Sequence, residues 1–587
     1  VILRFILFLF FAASCLTVRP GWAELVLPAP KEHYQDFDAS QASAALLTEL
    51  MGELEPSTQA VLLQIANAPD ANTLQKIPRS EVSSALHSVN WTKWKPLVLE
   101  VFLHQSNVLD AIPKNSKEWI PIVHDSLLYF LDRLEQERFL NRLIDFAYLP
   151  PGNSRGDRIL QFTSRTPTFQ KLGQILARNT GLEPDIQAAL QTLENSLATS
   201  TRDELVDFIS NELGAETLQK YEIRFADRIL AEASVGAVIR ASLQNPEERQ
   251  RRDVVCKVIK PYVLKAIPEE VAIIDELTRY FSQHRAFYEL GKMPLAEMFQ
   301  NIKKSISEEI RIEEEQHNLV RAAAYYKNET RILIPELYPF STPHVTVMEF
   351  VRGEKISNAF PSDARQRAIM ARRLSDALTF DVIFSRQAEA LFHGDPHAGN
   401  VFHVLKHPDD PYRLALLDWG LCGSFSRSQR AELVQLVLGI ELRDPNRLKK
   451  HVGALIEGEV PEDPKKLKRL DQIFRETLGR RSARSNFDTL SDLIFRLGKE
   501  GYVLRFNITL FIKSQVTIAG ILAGLDPKLK QDDYLMKRAR GLVFKEFHKH
   551  LLNAVWFPAW NSHDYRSMLS NGDLARLVFH RVGQWFR

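Results

Sequence analysis

Cysteine is scarce in this chain: Cys15, Cys256 and Cys422 are the only three in 587 residues. None stands in a CxxC pair or a Cys/His cluster, so neither a zinc site nor a disulfide framework is expected, and Cys256 and Cys422 read as small buried hydrophobes. An excess of one charge is also lacking, with 75 Lys and Arg against 73 Asp and Glu and a net charge of +2. Nucleic-acid binders concentrate basic charge, so no nucleic-acid partner is expected. The densest basic stretch, Lys465 to Arg484, is interleaved with Leu467, Leu470, Ile473 and Phe474 and reads as the solvated face of a helix. No internal repeat of 20 to 50 residues is evident. Between Leu542 and Arg587 the apolar pattern is interrupted by Lys545, His548, His550 and Arg566, which argues against a terminal membrane span.

What is present is an ordinary globular composition, 45% hydrophobic and 25% charged, long enough for two or three folding units. The N-terminus is separate in character. Arg4 precedes an apolar run from Phe5 to Val18, and Gly21-Trp22-Ala23 puts small residues at the −3 and −1 positions of a cleavage site. Residues 1–23 therefore read as a signal peptide or membrane anchor, which would place the chain at a membrane or in the cell envelope; without a genuine leader it would be cytoplasmic.

Residues 24–160 read as an α-helical extension: Leu46, Leu47, Leu50, Met51 and Leu54, then Val61, Leu62 and Ile65, recur at three- and four-residue steps. In residues 161–224 a further helix follows Thr166-Pro167, an N-cap and first-turn proline, and stops near Gly181. It places Lys171 and Gln174 on one face, with Gly173 between them where another backbone or a ligand comes close. Residues 225–355 turn to short β-rich runs with a helical insert, Ala237 to Leu243, Asp253 to Ile259 and Val345 to Phe350 reading as strands. Residues 356–540 are mainly helical, interrupted by strand-like Val401 to Val404 and Leu414 to Leu417 joined through Lys406 to Tyr412, and residues 541–587 form a helical tail. The expected class is α+β: a bilobal, protein-kinase-like fold with an α-helical N-terminal extension.

The chemistry is concentrated in His393-Gly394-Asp395-Pro396-His397-Ala398-Gly399-Asn400 and Leu416-Leu417-Asp418-Trp419-Gly420. Phosphoryl transfer needs a carboxylate to orient or deprotonate the attacking hydroxyl and oxygen ligands to hold metal on the phosphates. Asp395 and Asn400 are five residues apart, and Asp418 follows 18 residues later at the end of an apolar strand. Pro396 biases Asp395 away from helical geometry. Asp395 is the candidate catalytic carboxylate, and Asn400 and Asp418 are the candidate metal ligands.

HGDPHAGN with LLDWG resembles the UbiB/AarF family of atypical kinases, related to the mitochondrial coenzyme Q chaperone-kinases. The similarity runs in order from Phe169 to Pro527. Lys171 to Gln174 is similar to the family's K-x-G-Q signature, Ala233-Ser234-Val235-Gly236 to its alanine-rich nucleotide loop, and Val254 to Val258 to the strand bearing its ATP-contacting lysine. Glu315 to Asn318 is similar to its E-A-x-N segment, Val347 to Phe350 to its hinge, and Leu525-Asp526-Pro527 to a late landmark. The resemblance implies ATP or ADP with Mg2+ (or Mn2+) as ligands. It implies that Lys257 pairs with Glu315 and meets the phosphates, that Ala233, Ser234, Gly236 and Glu349 line the nucleotide site, and that Lys171 and Gln174 point towards it. It further implies membrane association and a lipid or isoprenoid quinone ligand.

Two departures bear on turnover. Glu309-Ile310-Arg311 stands where the family has E-x-D, reversing a charge near the implied metal, and Gly236-Ala237-Val238 stands where it has Gly-Gln-Val. The reading is an atypical kinase or ATPase acting in membrane lipid or ubiquinone-related metabolism. The alternatives are a small-molecule phosphotransferase of the aminoglycoside or choline kinase type, which shares the HGD-x-H-x-x-N loop, and a catalytically weak nucleotide-gated scaffold.

Overall fold

The apolar three- and four-residue steps of the N-terminal extension become the helices Pro56–Asn67, Arg79–His87, Trp91–Ser106, Ile120–Arg133, Gln136–Ala147 and Arg155–Thr163 in a computed structural model of the chain. The structure describes residues 49–585, apart from 151, 178–180, 196–198, 249, 286–287, 289–294, 357–362, 406–409, 459–462, 480–484, 556–564 and 566. The leader, Leu46, Leu47 and part of the Lys406 to Tyr412 connection thus lie outside the described residues. The chain divides into two units, Val1–Arg311 with Thr342–Val345, and Ile312–Ser341 with Thr346–Arg587.

In the first unit Leu62, Ile65, Val82, Leu99, Phe102, Leu131 and Phe139 turn inward into one apolar core. Phe169 of the Pro167–Ala177 helix and Ile273, Leu277 and Phe281 of the Pro261–Gln283 helix join it. Aromatic edges hold the layers together: Trp91 meets Phe139 edge-on at 5.2 Å, and Phe162 stacks on Phe169 at 5.2 Å. The same unit contains an antiparallel sheet of β1 (Arg224–Glu232), β2 (Gly236–Gln244) and β3 (Arg251–Ile259). Pairing of β2 with β3 runs without a break from Gly236 opposite Ile259 to Gln244 opposite Arg251. The strands β2 and β3 match the sequence reading closely. β1 escaped it, because Arg224, Asp227, Arg228 and Glu232 leave no clear apolar alternation and none of its residues is buried.

In the second unit β4 (Ile332–Leu333), β9 (Leu414–Leu416), β8 (Val401–Val404) and β6 (Gly353–Lys355) form a sheet in that order, with β8 and β9 antiparallel as the hairpin reading requires. β5 (Val345–Glu349) begins in the first unit and continues into the second. A second ribbon pairs β7 (Glu389–His393) with β10 (Cys422–Ser426). This ribbon corrects the mainly helical reading of the region. Ala390 to His393 are all buried, so β7 shows a short continuous apolar run with no period to identify it.

The helices Arg427–Glu441, Asn486–Lys499 and Phe506–Leu525 pack through Leu433, Leu436, Leu490, Leu493, Leu497 and Phe511. The Pro464–Gly479 helix buries Leu470, Ile473 and Phe474 and exposes Lys465, Lys466, Lys468 and Arg469, as a solvated basic face should. Among the described residues, Phe506–Leu525 is the one helix long and apolar enough to cross a membrane, and 56% of its apolar window is buried within the protein. Phe511, Ile512, Ile518 and Leu522 account for that apolarity as core side chains.

Candidate active site

The second unit draws the three signature residues together through one buried histidine. His393 ends β7 and is only 2% exposed. Its Nε2 donates to the Leu417 carbonyl at 2.9 Å, and its Nδ1 accepts the Asp395 N–H at 3.2 Å. One donor and one acceptor on the ring describe a neutral imidazole, in keeping with burial, which lowers its pKa below the usual histidine value. The residue before Asp418 and the backbone of Asp395 are thereby tied to a single ring. His393 belonged to the motif in the sequence, but its positioning role depends on a partner 24 residues away.

The loop closes on itself as well. The Asp395 carbonyl accepts the His397 N–H at 2.9 Å and the Asn400 Nδ2 at 3.1 Å, and the Asn400 N–H donates to the His397 carbonyl at 2.8 Å. Asn400 donates through nitrogen here, so Oδ1 is its acceptor atom. The Asn400 carbonyl then accepts the Leu417 N–H at 2.9 Å, which sets Asn400 beside the approach to Asp418. Gly394 has no room for a side chain: an added Cβ would lie 2.9 Å from both the Leu421 carbonyl oxygen and Leu510 Cδ2.

Asp418 sits in the left-handed region with φ +57°, which short polar side chains tolerate better than others. Its Oδ1 accepts the Gly420 N–H at 3.3 Å. Trp419 is fully buried, its Nε1 donates to the Leu416 carbonyl at 3.3 Å, and its ring lies 4.7 Å from that of His393. Asn318 Nδ2 donates to the Trp419 carbonyl at 3.1 Å, so the segment read as E-A-x-N supports the Asp-Trp-Gly turn. Of Glu313, Glu314 and Glu315, only Glu315 is buried, at 8% exposure. Glu349 ends β5, where its N–H donates to the Glu336 carbonyl at 2.9 Å. Asn400 and Asp418 supply an amide and a carboxylate oxygen, the hard donors that suit Mg2+.

The remaining candidates lie in the first unit. Lys257 is on β3 opposite Val238, beside Cys256, whose thiol burial pushes up to about 12. Ala233, Ser234 and Val235 form the tight β1–β2 turn, closed by the Ala233 N–H on the Gly236 carbonyl at 2.8 Å. The Ser234 and Val235 carbonyls accept from Tyr262 Oη at 3.2 Å and the Lys260 N–H at 2.9 Å. A Cβ on Gly236 would lie 3.1 Å from the Val258 carbonyl oxygen, so the crowding there comes from β3.

Lys171 pairs with Glu309, the first residue of the altered E-x-D segment, and Gln174 Nε2 donates to the Leu193 carbonyl at 3.0 Å. The close approach at Gly173 is by the Pro184–Asn195 helix: a Cβ would meet Leu193 Cδ1 at 2.4 Å. Arg311 is exposed and its N–H donates to the Glu308 carbonyl at 3.2 Å.

Residues 192–452 match the family model described as the ABC1 atypical kinase-like domain. An uncharacterized protein of Synechocystis, sll0005, is 28% identical over 63% of this chain and 52% of its own length. A protein of Actinobacillus pleuropneumoniae serotype 7 named "Probable protein kinase UbiB" is 26% identical over 53% of this chain and 56% of its own. The chain thus spans about half the length of these curated relatives. Among solved structures, the Rv3197–erythromycin complex from Mycobacterium tuberculosis aligns with a TM-score of 0.39 at 16% identity, covering 56% of this chain and 80% of that one.

Proposed function

We propose, from the premise that this chain carries an ABC1 atypical kinase-like domain on a kinase-like α+β fold, that it binds ATP or ADP with Mg2+ and transfers or hydrolyses the terminal phosphate. The observation that carries the reading is the His393 bracket, which holds the Asp395 backbone and Leu417, the residue before Asp418, to one neutral ring. In this reading Asp395 orients the attacking hydroxyl and takes its proton, while Asn400 Oδ1 and the Asp418 carboxylate hold the cation. Mg2+, when bound, neutralises charge on the phosphates. By the family resemblance, Lys257 would contact the nucleotide phosphates and Ala233, Ser234 and Gly236 would belong to the nucleotide loop. A lipid or isoprenoid quinone ligand, and membrane association, are what the family resemblance implies.

The test is thermal unfolding of the full chain with ATP or ADP, with and without Mg2+. Ligand at about 100 times its dissociation constant adds about 2.7 kcal/mol to the folded state. Asp418→Asn keeps a residue that tolerates the left-handed backbone and removes the carboxylate, so it should abolish the Mg2+-dependent part of the shift. An unchanged shift in that variant would refute the assignment. Arg311 in the E-x-D position, with Glu309 committed to Lys171, favours a second reading in which the nucleotide gates a scaffold. ATP binding without consumption, in the presence of anionic lipid vesicles, selects that reading.

A further inference from the structure

We propose that the N-terminal helical extension holds a first-row divalent transition metal, with Zn2+ as the best match, on Glu100, His104 and His124. Each of the three offers a ligand atom, and these atoms lie within 4.8 Å of one another. Glu100 and His104 are four residues apart on the Trp91–Ser106 helix, so they share a face. His124 comes from the Ile120–Arg133 helix and is buried, with Nε2 hydrogen-bonded to Glu100 Oε2 at 3.0 Å, so the metal would take the place of the proton those two atoms share. Ligand atoms at tetrahedral Zn2+ stand roughly 3.3–3.5 Å apart, given bonds of about 2.0–2.1 Å. His104 is the exposed member of the three, and all three ligand atoms stand within 4.8 Å of one another.

The surroundings are those of a built site. His124 Nδ1 lies 3.0 Å from Asp125 Oδ1, and Asp125 Oδ2 accepts the Tyr288 hydroxyl at 2.7 Å. A carboxylate on the far nitrogen of a ligating histidine fixes ring orientation and makes the near nitrogen a better donor. Two imidazoles and a carboxylate favour Zn2+ over Mg2+ or Ca2+, which prefer all-oxygen shells. Three protein ligands leave a fourth position for water on the exposed His104 side. The scarcity of cysteine argues against a thiolate zinc site, and this cluster uses none.

The full chain, stripped with a chelator and free of nucleotide, would be titrated with Co2+ and then Zn2+. One equivalent of Co2+ should give the intense visible bands of a low-coordinate site, and Zn2+ should bleach them. His104→Ala, at an exposed position, should fold normally by circular dichroism, lose the bands and bind more than tenfold more weakly; Glu100→Gln should behave alike. Asp125→Asn should keep the bands, shifted, and bind roughly 10–100-fold more weakly. Asp418→Asn should leave the spectrum unchanged, which separates this site from the nucleotide-linked cation. Only the weak bands of six-coordinate Co2+ in the parent chain, or bands that persist in both His104→Ala and Glu100→Gln, would overturn the proposal.

Discussion

Glu270 is fully buried, yet it carries a carboxylate that serves two elements at once. Its Oε2 accepts the Thr168 N–H at 2.8 Å, in the first turn of the Pro167–Ala177 helix that presents Lys171, and its Oε1 pairs with Arg138. Glu270→Ala would leave a helix N-terminal donor and a largely buried guanidinium uncompensated. Breaking a buried pair from one side costs about 3–5 kcal/mol. Arg138 keeps Glu269 as a second partner, which moves the expectation towards the lower end. Glu270→Gln should cost much less, because the amide oxygen can still accept from Thr168 and burial already raises the Glu270 pKa, disfavouring the charged form. The sign follows. A carboxyl with a raised folded-state pKa contributes stability that is complete below its unfolded value of about 4.3 and is lost as pH rises through the folded value. The parent should therefore lose stability with rising pH over that window relative to Glu270→Gln. The assay is native-state hydrogen exchange on peptides covering residues 167–177. A local loss of 3–5 kcal/mol is roughly a 100- to 4,000-fold fall in protection at 1.4 kcal/mol per tenfold. Protection in Glu270→Ala within threefold of the parent would refute the anchoring role.

Trp419→Ala should cost about 3–5 kcal/mol, because the indole is fully buried between the rings of His393 and Tyr326, while Trp419→Phe loses mainly the Leu416 hydrogen bond; thermal midpoints of the two variants check the order. Cys256 and Cys422, both pushed up to about 12 by burial, should hold on the order of a thousandfold less thiolate at pH 8 than free cysteine, so alkylation mapped by mass spectrometry should find them unmodified until denaturant is added. Burial would raise the Asp573 pKa, but donors from Arg447, Gln435 and Ser570 outweigh it and hold the carboxyl below its ordinary value. Its stabilisation is therefore present above the unfolded pKa and lost as pH falls through the folded one, and Asp573→Asn should flatten the acid limb of the stability profile.

Elements whose signal is local could be read along the chain. Apolar steps of three and four residues marked the N-terminal helices, because each buries one face. The strands β2 and β3 and the β8–β9 hairpin were legible because apolar strands were bounded by turn residues. The five-residue step from Asp395 to Asn400 and the later Asp418 are what the proposed phosphate chemistry rests on, through residue type and order. β1 and β7 were not legible: the first is a charged edge strand, and the second is buried along nearly its whole length, so neither shows a period.

Tertiary structure alone decided which polar atoms meet. That His393 is the neutral link between two loops, that Asn318 supports the Trp419 carbonyl, and that Gly173 is kept small by Leu193 all depend on partners far along the chain. So does the convergence of Glu100, His104 and His124, since helical spacing predicts the first two as neighbours and only packing brings the third. Periodicity is a property of one segment and can be read along it. A hydrogen bond across a fold depends on where two segments come to rest.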